Sequence, residues 1–208
     1  MQADYGVIAV RADSPYNNLK ELYDAIKADP NNVQICGGGA PGTWDHLNAV
    51  LIALKNGVDI KTMKYNPYDG GGEALTALLG GHATAMTSDV SSIKQYLKAG
   101  KVKVLGVSSA ERISEDDVMK DVPTYTEQGY DIVTANWRGV FAGKDMSPEA
   151  KKFWEEAVGK MCATPEWKAE LAAQGVQDTY KNSADFMKAL KEQEEMYIKI
   201  YTELGMAK

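Results

Sequence analysis

The sequence predicts an α/β fold with a mainly parallel sheet in its first half. From Val7 to Val107, short apolar stretches typical of strands alternate with stretches that have the apolar spacing of amphipathic helices. Two glycine-rich segments each follow a strand and precede a helix. After about Ser109 the alternation stops and three successive helices follow. With 208 residues, the chain can form one large domain or two small lobes.

The elements of the first half are bounded by residues that cap or stop helices. Asn17 or Asn18 caps the first helix, and Asp29-Pro30 stops it because the residue before a proline disfavours helical backbone. Gly57 ends the second helix. We expect strands at residues 7–11, 33–36, 60–65, 83–86 and 102–107, and helices that end near residues 28, 55, 80 and 100.

The second half of the chain has a different character. A polar connection with one short helix leads into an extended segment at residues 131–143. Ser147-Pro148 and Thr164-Pro165 each give a capping hydroxyl followed by proline at the first helical position, and Ser183 starts the last helix. No strand is expected among these helices, which can pack on one another or cover a second sheet.

Composition and charge exclude several functional classes. The net charge is −6 and the pI about 5.0, so a basic surface that binds nucleic acid or an anionic membrane is not expected. The longest apolar run, from Ala49 to Leu54, is too short to span a bilayer, and no secretory signal is visible at the N-terminus. Cys36 and Cys162 are expected to be separate buried thiols.

The sequence offers no pattern for a catalytic or metal site, and we predict no catalytic residue, metal or cofactor. A nucleophile needs an adjacent base, but the two histidines, His46 and His82, match no triad pattern. His46 lies near the start of a helix and is interpreted as a local hydrogen-bonding residue. Zinc-binding and calcium-binding motifs are not found.

The stretch QICGGGAPGTWDHL contains a possible dinucleotide fingerprint. Gly37, Gly39 and Gly42 fit the G-x-G-x-x-G spacing, between a strand and a helix. That fold also needs an acidic residue at the end of the following strand to bind the ribose. Asp59 precedes its strand and Asp69 comes late, inside a second glycine loop. A nucleotide-dependent enzyme therefore remains only as an alternative hypothesis.

The two glycine loops form a repeated device that suits an anion. GGGAPGTW precedes one helix and YDGGGEAL precedes the next. Each helix start presents unpaired backbone N–H groups and the positive end of the helix dipole, and glycine lets a ligand approach the backbone. Thr43 can cap its helix or turn its hydroxyl to a ligand. We therefore predict an anion-binding cleft at the carboxyl edge of the sheet.

Three stretches, in this order and spacing, carry a resemblance to a known family. They are YDGGGEALTALLGGHA, SDVSSIKQYLKAGKVKVLGVSSAERI and DVPTYTEQGYDIVTANWRGVFAGKDMSPE. With the G-x-x-H-L spacing of Gly42 to Leu47, the chain resembles the periplasmic solute-binding receptors of tripartite tricarboxylate transporters (Bug-type proteins) over essentially its whole length. The resemblance implies a two-lobed, hinge-closing, type II periplasmic-binding-protein-like fold. It implies a receptor outside the cytoplasm that delivers a small carboxylate to a membrane permease without any reaction.

The family's ligand loops can be carried over residue by residue. The resemblance implies ligand binding by two glycine loops and one tyrosine. The candidate ligand-binding residues are Gly38, Gly39, Ala40, Gly42, Thr43, Tyr68, Gly70 and Gly71. The family usually has a hydroxyl residue near Gly38, an asparagine near Pro41, an often basic residue at Asp69 and an aspartate at Thr84. Dicarboxylates, tricarboxylates, amino acids and aromatic carboxylates therefore all stay open as ligands.

The resemblance also divides the chain. Residues 12–130 correspond to lobe 2, residues 1–11 and 131–142 to crossing (hinge) segments, and residues 143–208 to the C-terminal helices of lobe 1. The family has a further N-terminal stretch that builds most of lobe 1. Without it, the tail helices expose Phe153, Trp154, Val158 and Met161, and we expect a homodimer or a partner chain to cover them. A ligand-sensing effector domain shares this fold, but no DNA-binding segment accompanies it.

Overall fold

The computed structural model describes residues 2–206; Met1, Ala207 and Lys208, which end the predicted segments 1–11 and 143–208, lie outside it. The strands are β1 (Gln2–Arg11), β2 (Gln34–Gly37), β3 (Lys64–Pro67), β4 (Ala85–Asp89), β5 (Val102–Val107), β6 (Ala135–Arg138) and β7 (Gln177–Asp178). The helices are α1 (Leu19–Ala28), α2 (Trp44–Lys55), α3 (Gly71–Leu79), α4 (Val90–Lys98), α5 (Pro148–Cys162), α6 (Pro165–Gln174) and α7 (Ser183–Glu203). A short 3-10 helix spans Thr126–Gln128.

The chain divides into two compact units. One, termed the α/β unit, comprises Tyr5–Asn136. The other, termed the tail unit, comprises the residues up to Asp4 together with those from Trp137 onward.

The sheet of the α/β unit has the strand order β3-β2-β4-β1-β5. β2 runs parallel to both β3 and β4, whereas β1 runs antiparallel to its neighbours β4 and β5. The α/β class is confirmed, but the sheet is only half parallel. The reason is the long strand β1, which enters between β4 and β5 in the opposite direction, and apolar periodicity carries no information about direction.

Several predicted bounds need correction. The strand expected at residues 60–65 is instead Lys64–Pro67, because Asp59 closes a turn by accepting the Lys61 N–H at 3.0 Å and the Thr62 hydroxyl at 2.8 Å. β7 was not predicted; it has two residues and follows the turn at Gly175. Of the extended segment 131–143, only β6 is a strand, and Asn182 rather than Ser183 caps α7.

The core of the α/β unit lies on both faces of its sheet. On one face, Ala74 and Leu78 of α3 and Ile93 of α4 pack against strand residues such as Val7 and Met86. On α1, the buried residues are Leu19, Leu22, Tyr23 and Ile26, and the buried Tyr23 hydroxyl donates to Ala49 O of α2 at 2.9 Å. Asn18 caps α1 by accepting the Glu21 N–H at 2.8 Å, as the sequence predicted.

The tail unit is helical apart from one short strand pairing. Ala3 of β1 lies opposite Gln177 of β7. Ser147 and Thr164 cap α5 and α6 with their hydroxyls, as predicted. The buried apolar residues of these helices and of the turn after α6 are Cys162, Leu171, Val176 and Ile200. Large apolar side chains stay exposed on the same helices, including Phe153 at 63%, Trp154 at 54% and Ile198 at 54%.

Candidate functional site

The two glycine loops leave the sheet at the same edge. β2 and β3 are parallel neighbours, with Gly37 opposite Pro67, so the chain emerges from both strands side by side. The first loop (residues 38–43) leads into α2 and the second loop (residues 68–70) leads into α3. The sheet topology therefore brings together the two segments that the sequence singled out.

The two loops are joined through their backbones. The Tyr68 N–H donates to Gly37 O at 2.9 Å, and the Gly70 N–H donates to Gly38 O at 3.0 Å. A Cβ atom at Gly38 would lie 2.5 Å from Gly71 N and 2.6 Å from Gly70 C, well inside van der Waals contact. Glycine at position 38 is therefore what allows the loops to pack against each other directly.

Side-chain hydroxyls shape the first loop from within. Tyr65 donates to Gly39 O at 2.7 Å, and Thr43 donates through Oγ1 to Ala40 O at 2.7 Å. Thr43 occupies the N-cap position of α2 but makes no side-chain cap bond. Its hydroxyl proton is therefore used within the loop, and its oxygen lone pairs remain as acceptors.

The start of α3 presents free hydrogen-bond donors. Gly70 occupies the N-cap with φ 94° and has no side chain to cap the helix. Among residues 2–206, no acceptor bonds the N–H groups of Gly71, Gly72 or Glu73, and none bonds those of Gly39 or Ala40. Helix starts with unpaired N–H groups bind carboxylates and phosphates through these donors and the helix dipole.

His46 is a local hydrogen-bonding residue, as the sequence indicated. Its buried ring accepts the Gly42 N–H at Nδ1 over 3.1 Å. It also makes an edge contact with the ring of Tyr65, with centroids 4.7 Å apart. Burial lowers the pKa of His46, which favours the neutral ring that this bond needs.

Asp45 is a residue of the site that the sequence reasoning missed. It lies in the first turn of α2, and its partly buried carboxylate receives a hydrogen bond from the Gly38 backbone. Burial raises the pKa of Asp45, against the effect of that bond. Burial first, and then the charge of Asp45, also raise the pKa of Tyr65. The signal was an acid three residues after the last glycine, which resembles the ordinary preference of helix starts for acids.

Asp89 fixes the start of α2 from the neighbouring strand. Its carboxylate accepts the Trp44 indole N–H at 2.7 Å and the Asn136 amide at 2.9 Å. It stands at the N-cap of α4, where the sequence predicted a capping role, but it makes no side-chain cap bond there. The first helical residue after the first loop is thereby tied to the end of β4.

The remaining predicted residues lie in or beside these loops. Tyr68 is half-buried and, together with residues of α3 and His82, lines a shallow groove of about 470 Å³. Asp69 is exposed, and Thr84 accepts the Gln34 N–H at 3.3 Å. Asp59 belongs to the turn before β3 and does not occupy the ribose-binding position of a dinucleotide fold.

Other sites are limited by what the described chain contains. Cys36 and Cys162 are free and buried, as expected, and burial raises the pKa of Cys36 to about 12. Within residues 2–206, no group of three or more His, Cys, Asp or Glu side chains is placed to hold a metal ion. Over the same range, no helix is long and apolar enough to cross a membrane.

Comparison with known proteins identifies a consistent set of relatives. A family model described as tripartite tricarboxylate transporter family receptor matches residues 1–206. The UPF0065 protein in the gbd 5′ region of Cupriavidus necator is 29% identical over 203 residues, which are 97% of this chain but 59% of that relative. The chain thus spans less than two thirds of its relative's length.

Solved structures agree with that match. A TctC solute binding protein from Polaromonas has a TM-score of 0.73 at 30% identity, over 94% of this chain and 66% of that one. R. palustris Rpa4515 with adipate has a TM-score of 0.83 at 21% identity, over 100% of this chain and 67% of that one. The second likeness concerns the fold alone.

Proposed function

We propose that this chain, which belongs to the tripartite tricarboxylate transporter receptor family, is a solute-binding receptor for a small carboxylate. In this proposal it works outside the cytoplasm, in the periplasm, and delivers its ligand to the membrane permease of a tripartite transporter. It binds and releases the ligand without chemical change.

The observation that supports this proposal most directly is the backbone bonding of the two glycine loops. It holds the donor-bearing start of α3 against the first loop, through the Gly70 N–H and Gly38 O at 3.0 Å. Unpaired N–H groups at Gly71 and Gly72 and at Gly39 can then reach one anion. The proposed ligand-binding residues are Gly38, Gly39, Ala40, Gly42, Thr43, Tyr68, Gly70 and Gly71. The Gly38 and Gly42 amides are engaged with Asp45 and His46, so these two glycines act by shaping the loop.

A carboxylate held by backbone donors needs no cationic side chain. Each hydrogen bond to a charged group contributes roughly 1.5–3 kcal/mol, so three such bonds suffice for a useful affinity. The absence of a basic residue in the segments 38–43 and 68–72 is therefore compatible with an anionic ligand. It also leaves room for selectivity to come from polar groups around the loops.

A thermal-shift panel tests the function. The purified chain is melted with adipate, malate, citrate, glutamate and benzoate, each paired with the corresponding amide as an uncharged control. A ligand at one hundred times its Kd adds about 2.7 kcal/mol of stability, and each kcal/mol raises Tm by roughly 2–4 °C in a chain of this size. At least one acid is expected to raise Tm while its amide does not. If NADH shifts Tm and no acid does, a nucleotide-dependent protein replaces this proposal.

For the tail unit we propose self-association through the exposed face of α5. Phe153 and Trp154 form an edge-to-face pair with centroids 5.5 Å apart and remain 63% and 54% exposed. Met161, at 38%, extends the same apolar surface, while Val158 is half-buried. Sedimentation velocity should detect a dimer that F153S/W154S abolishes, with the exposed-surface variant K152S as control. A monomer at all concentrations contradicts the proposal.

A further inference from the structure

We propose that Asp45 determines specificity at the glycine loops by selecting carboxylates that also carry a protonated amino group, the chemistry of a free amino acid. This inference rests on the proposed function, because it names the ligand class of that same site.

The geometry places Asp45 at the surface of the first loop. A Cβ atom at Gly37 would lie 2.9 Å from Asp45 Cβ, so the side chain packs along the loop backbone. A Cβ atom at Gly39 would overlap with Thr43 Oγ1 and lie 3.7 Å from Asp45 Oδ2. Both oxygens therefore lie on the side of Gly39 that a side chain would occupy.

These two oxygens are acceptors. The Thr43 hydroxyl spends its proton on Ala40 O at 2.7 Å, so only lone pairs remain for a ligand. An ionised carboxylate such as that of Asp45 is acceptor-only. A ligand group beside Gly39 must therefore donate hydrogen bonds, and an ammonium group does so with a matching charge.

The opposite polarity lies at the second loop. The N–H groups of Gly71, Gly72 and Glu73 are donors, and the helix dipole adds positive potential there. A ligand with a carboxylate and an ammonium group satisfies both sides. A plain dicarboxylate satisfies the donors and meets repulsion from Asp45.

The surroundings of Asp45 give it no counter-ion. None of the ion pairs formed by residues 2–206 includes it. The titratable groups packed around it are the neutral His46 and the Tyr65 phenol, together with the Cys36 thiol. A partly buried carboxylate without a cation is unfavourable, and a ligand ammonium would supply the missing charge.

Calorimetric titration with matched ligands tests the inference. L-aspartate, succinate and N-acetyl-L-aspartate share two carboxylates, but only the first has an ammonium group. The wild-type chain is expected to bind L-aspartate at least tenfold more tightly than either of the others. In Asp45→Asn, L-aspartate should weaken about tenfold while succinate binds equally well or better. Asp69→Asn, which removes an exposed charge from the second loop, should keep the wild-type preference.

The outcomes separate this inference from the proposed function. Equal binding of L-aspartate and succinate by the wild-type chain, or weakening of both ligands by one factor in Asp45→Asn, overturns the role of Asp45 and leaves carboxylate binding intact. If no carboxylate in the wider thermal-shift panel binds, the proposed function fails and this inference with it. Because the wild-type comparison uses ligand variants alone, it decides the question even if Asp45→Asn does not fold.

Discussion

Gly70 donates its backbone N–H to the carbonyl oxygen of Gly38 over 3.0 Å, and this bond joins the two glycine loops of the α/β unit. The contact is possible because neither residue has a side chain: a Cβ at Gly38 would meet the backbone of Gly70 and Gly71 at 2.6 and 2.5 Å. The glycines are thus required by contact between two stretches of backbone. The same contact sets the position of the α3 donors relative to the first loop.

Gly38→Ala should separate the two loops. The added methyl group meets main-chain atoms that cannot rotate away, so we expect a loss of about 1–3 kcal/mol in the free energy of unfolding, the usual cost of overpacking. Carboxylate affinity should fall as well, because the donors of α3 move away from the first loop. Urea unfolding and ligand titration measure the two effects. Gly72→Ala is the matched control, since a Cβ there meets nothing within 4 Å, and it should be neutral or stabilising by about 0.4–1 kcal/mol.

Gly70→Ala tests a different cause of destabilisation at the same contact. Here a Cβ would meet nothing within 4 Å, but φ is 94° and ψ is 162°, a region that is essentially restricted to glycine. We expect a loss of about 1–3 kcal/mol in unfolding free energy from backbone strain alone. Gly71→Ala, in equally open space without a positive φ, should cost less. Equal losses in the two variants would argue against strain as the cause.

Much of this arrangement could be predicted from the sequence, for local reasons. Asn18, Ser147 and Thr164 cap their helices as expected, because capping depends on a few adjacent residues. The loops lie side by side because β2 and β3 are parallel neighbours, which the strand–loop–helix order indicates. These inferences needed only spacing and residue type.

The rest depends on contacts between distant segments. The antiparallel direction of β1 is set by its partners β4 and β5, which no local pattern reports. Asp45 resembled an ordinary helix-start acid, and its hydrogen bond from Gly38 depends on how the first loop folds back. For Thr43 the sequence left two roles open, and its hydroxyl takes a third, a bond to Ala40 O within the loop.

Asn48 should be essential to the core of the α/β unit. It is fully buried, and its amide donates to Thr87 Oγ1 at 3.0 Å and lies 3.2 Å from the Tyr125 hydroxyl. Asn48→Leu keeps a similar volume but leaves these buried polar groups without partners, at roughly 1–3 kcal/mol per group. Urea unfolding should show this loss, and the exposed-site variant Asn31→Leu should not. In a double-mutant cycle with Tyr125→Phe, additive losses would contradict a shared network.

Stability should fall in mildly acidic solution because of His46. Burial lowers its pKa in the folded chain, and the ring must be neutral at Nδ1 to accept the Gly42 N–H. The unfolded chain therefore binds the proton first, so this contribution is complete above about pH 6.5 and is lost as pH falls toward the lower folded pKa. Asp45 acts in the opposite direction in a more acidic window, because its folded pKa is raised and the folded chain gains its proton first.

The measurement is the unfolding free energy in urea between pH 7.5 and 5. The wild-type slope from this one group is at most about 1.4 kcal/mol per pH unit. His46→Gln keeps a polar side chain that can accept the Gly42 N–H but does not titrate, so its slope in this window should be clearly flatter. His82→Gln, at an exposed position, should follow the wild type. If His46→Gln retains the full wild-type slope, the acid sensitivity belongs to another group, and the neutral His46 is not what supports the first loop.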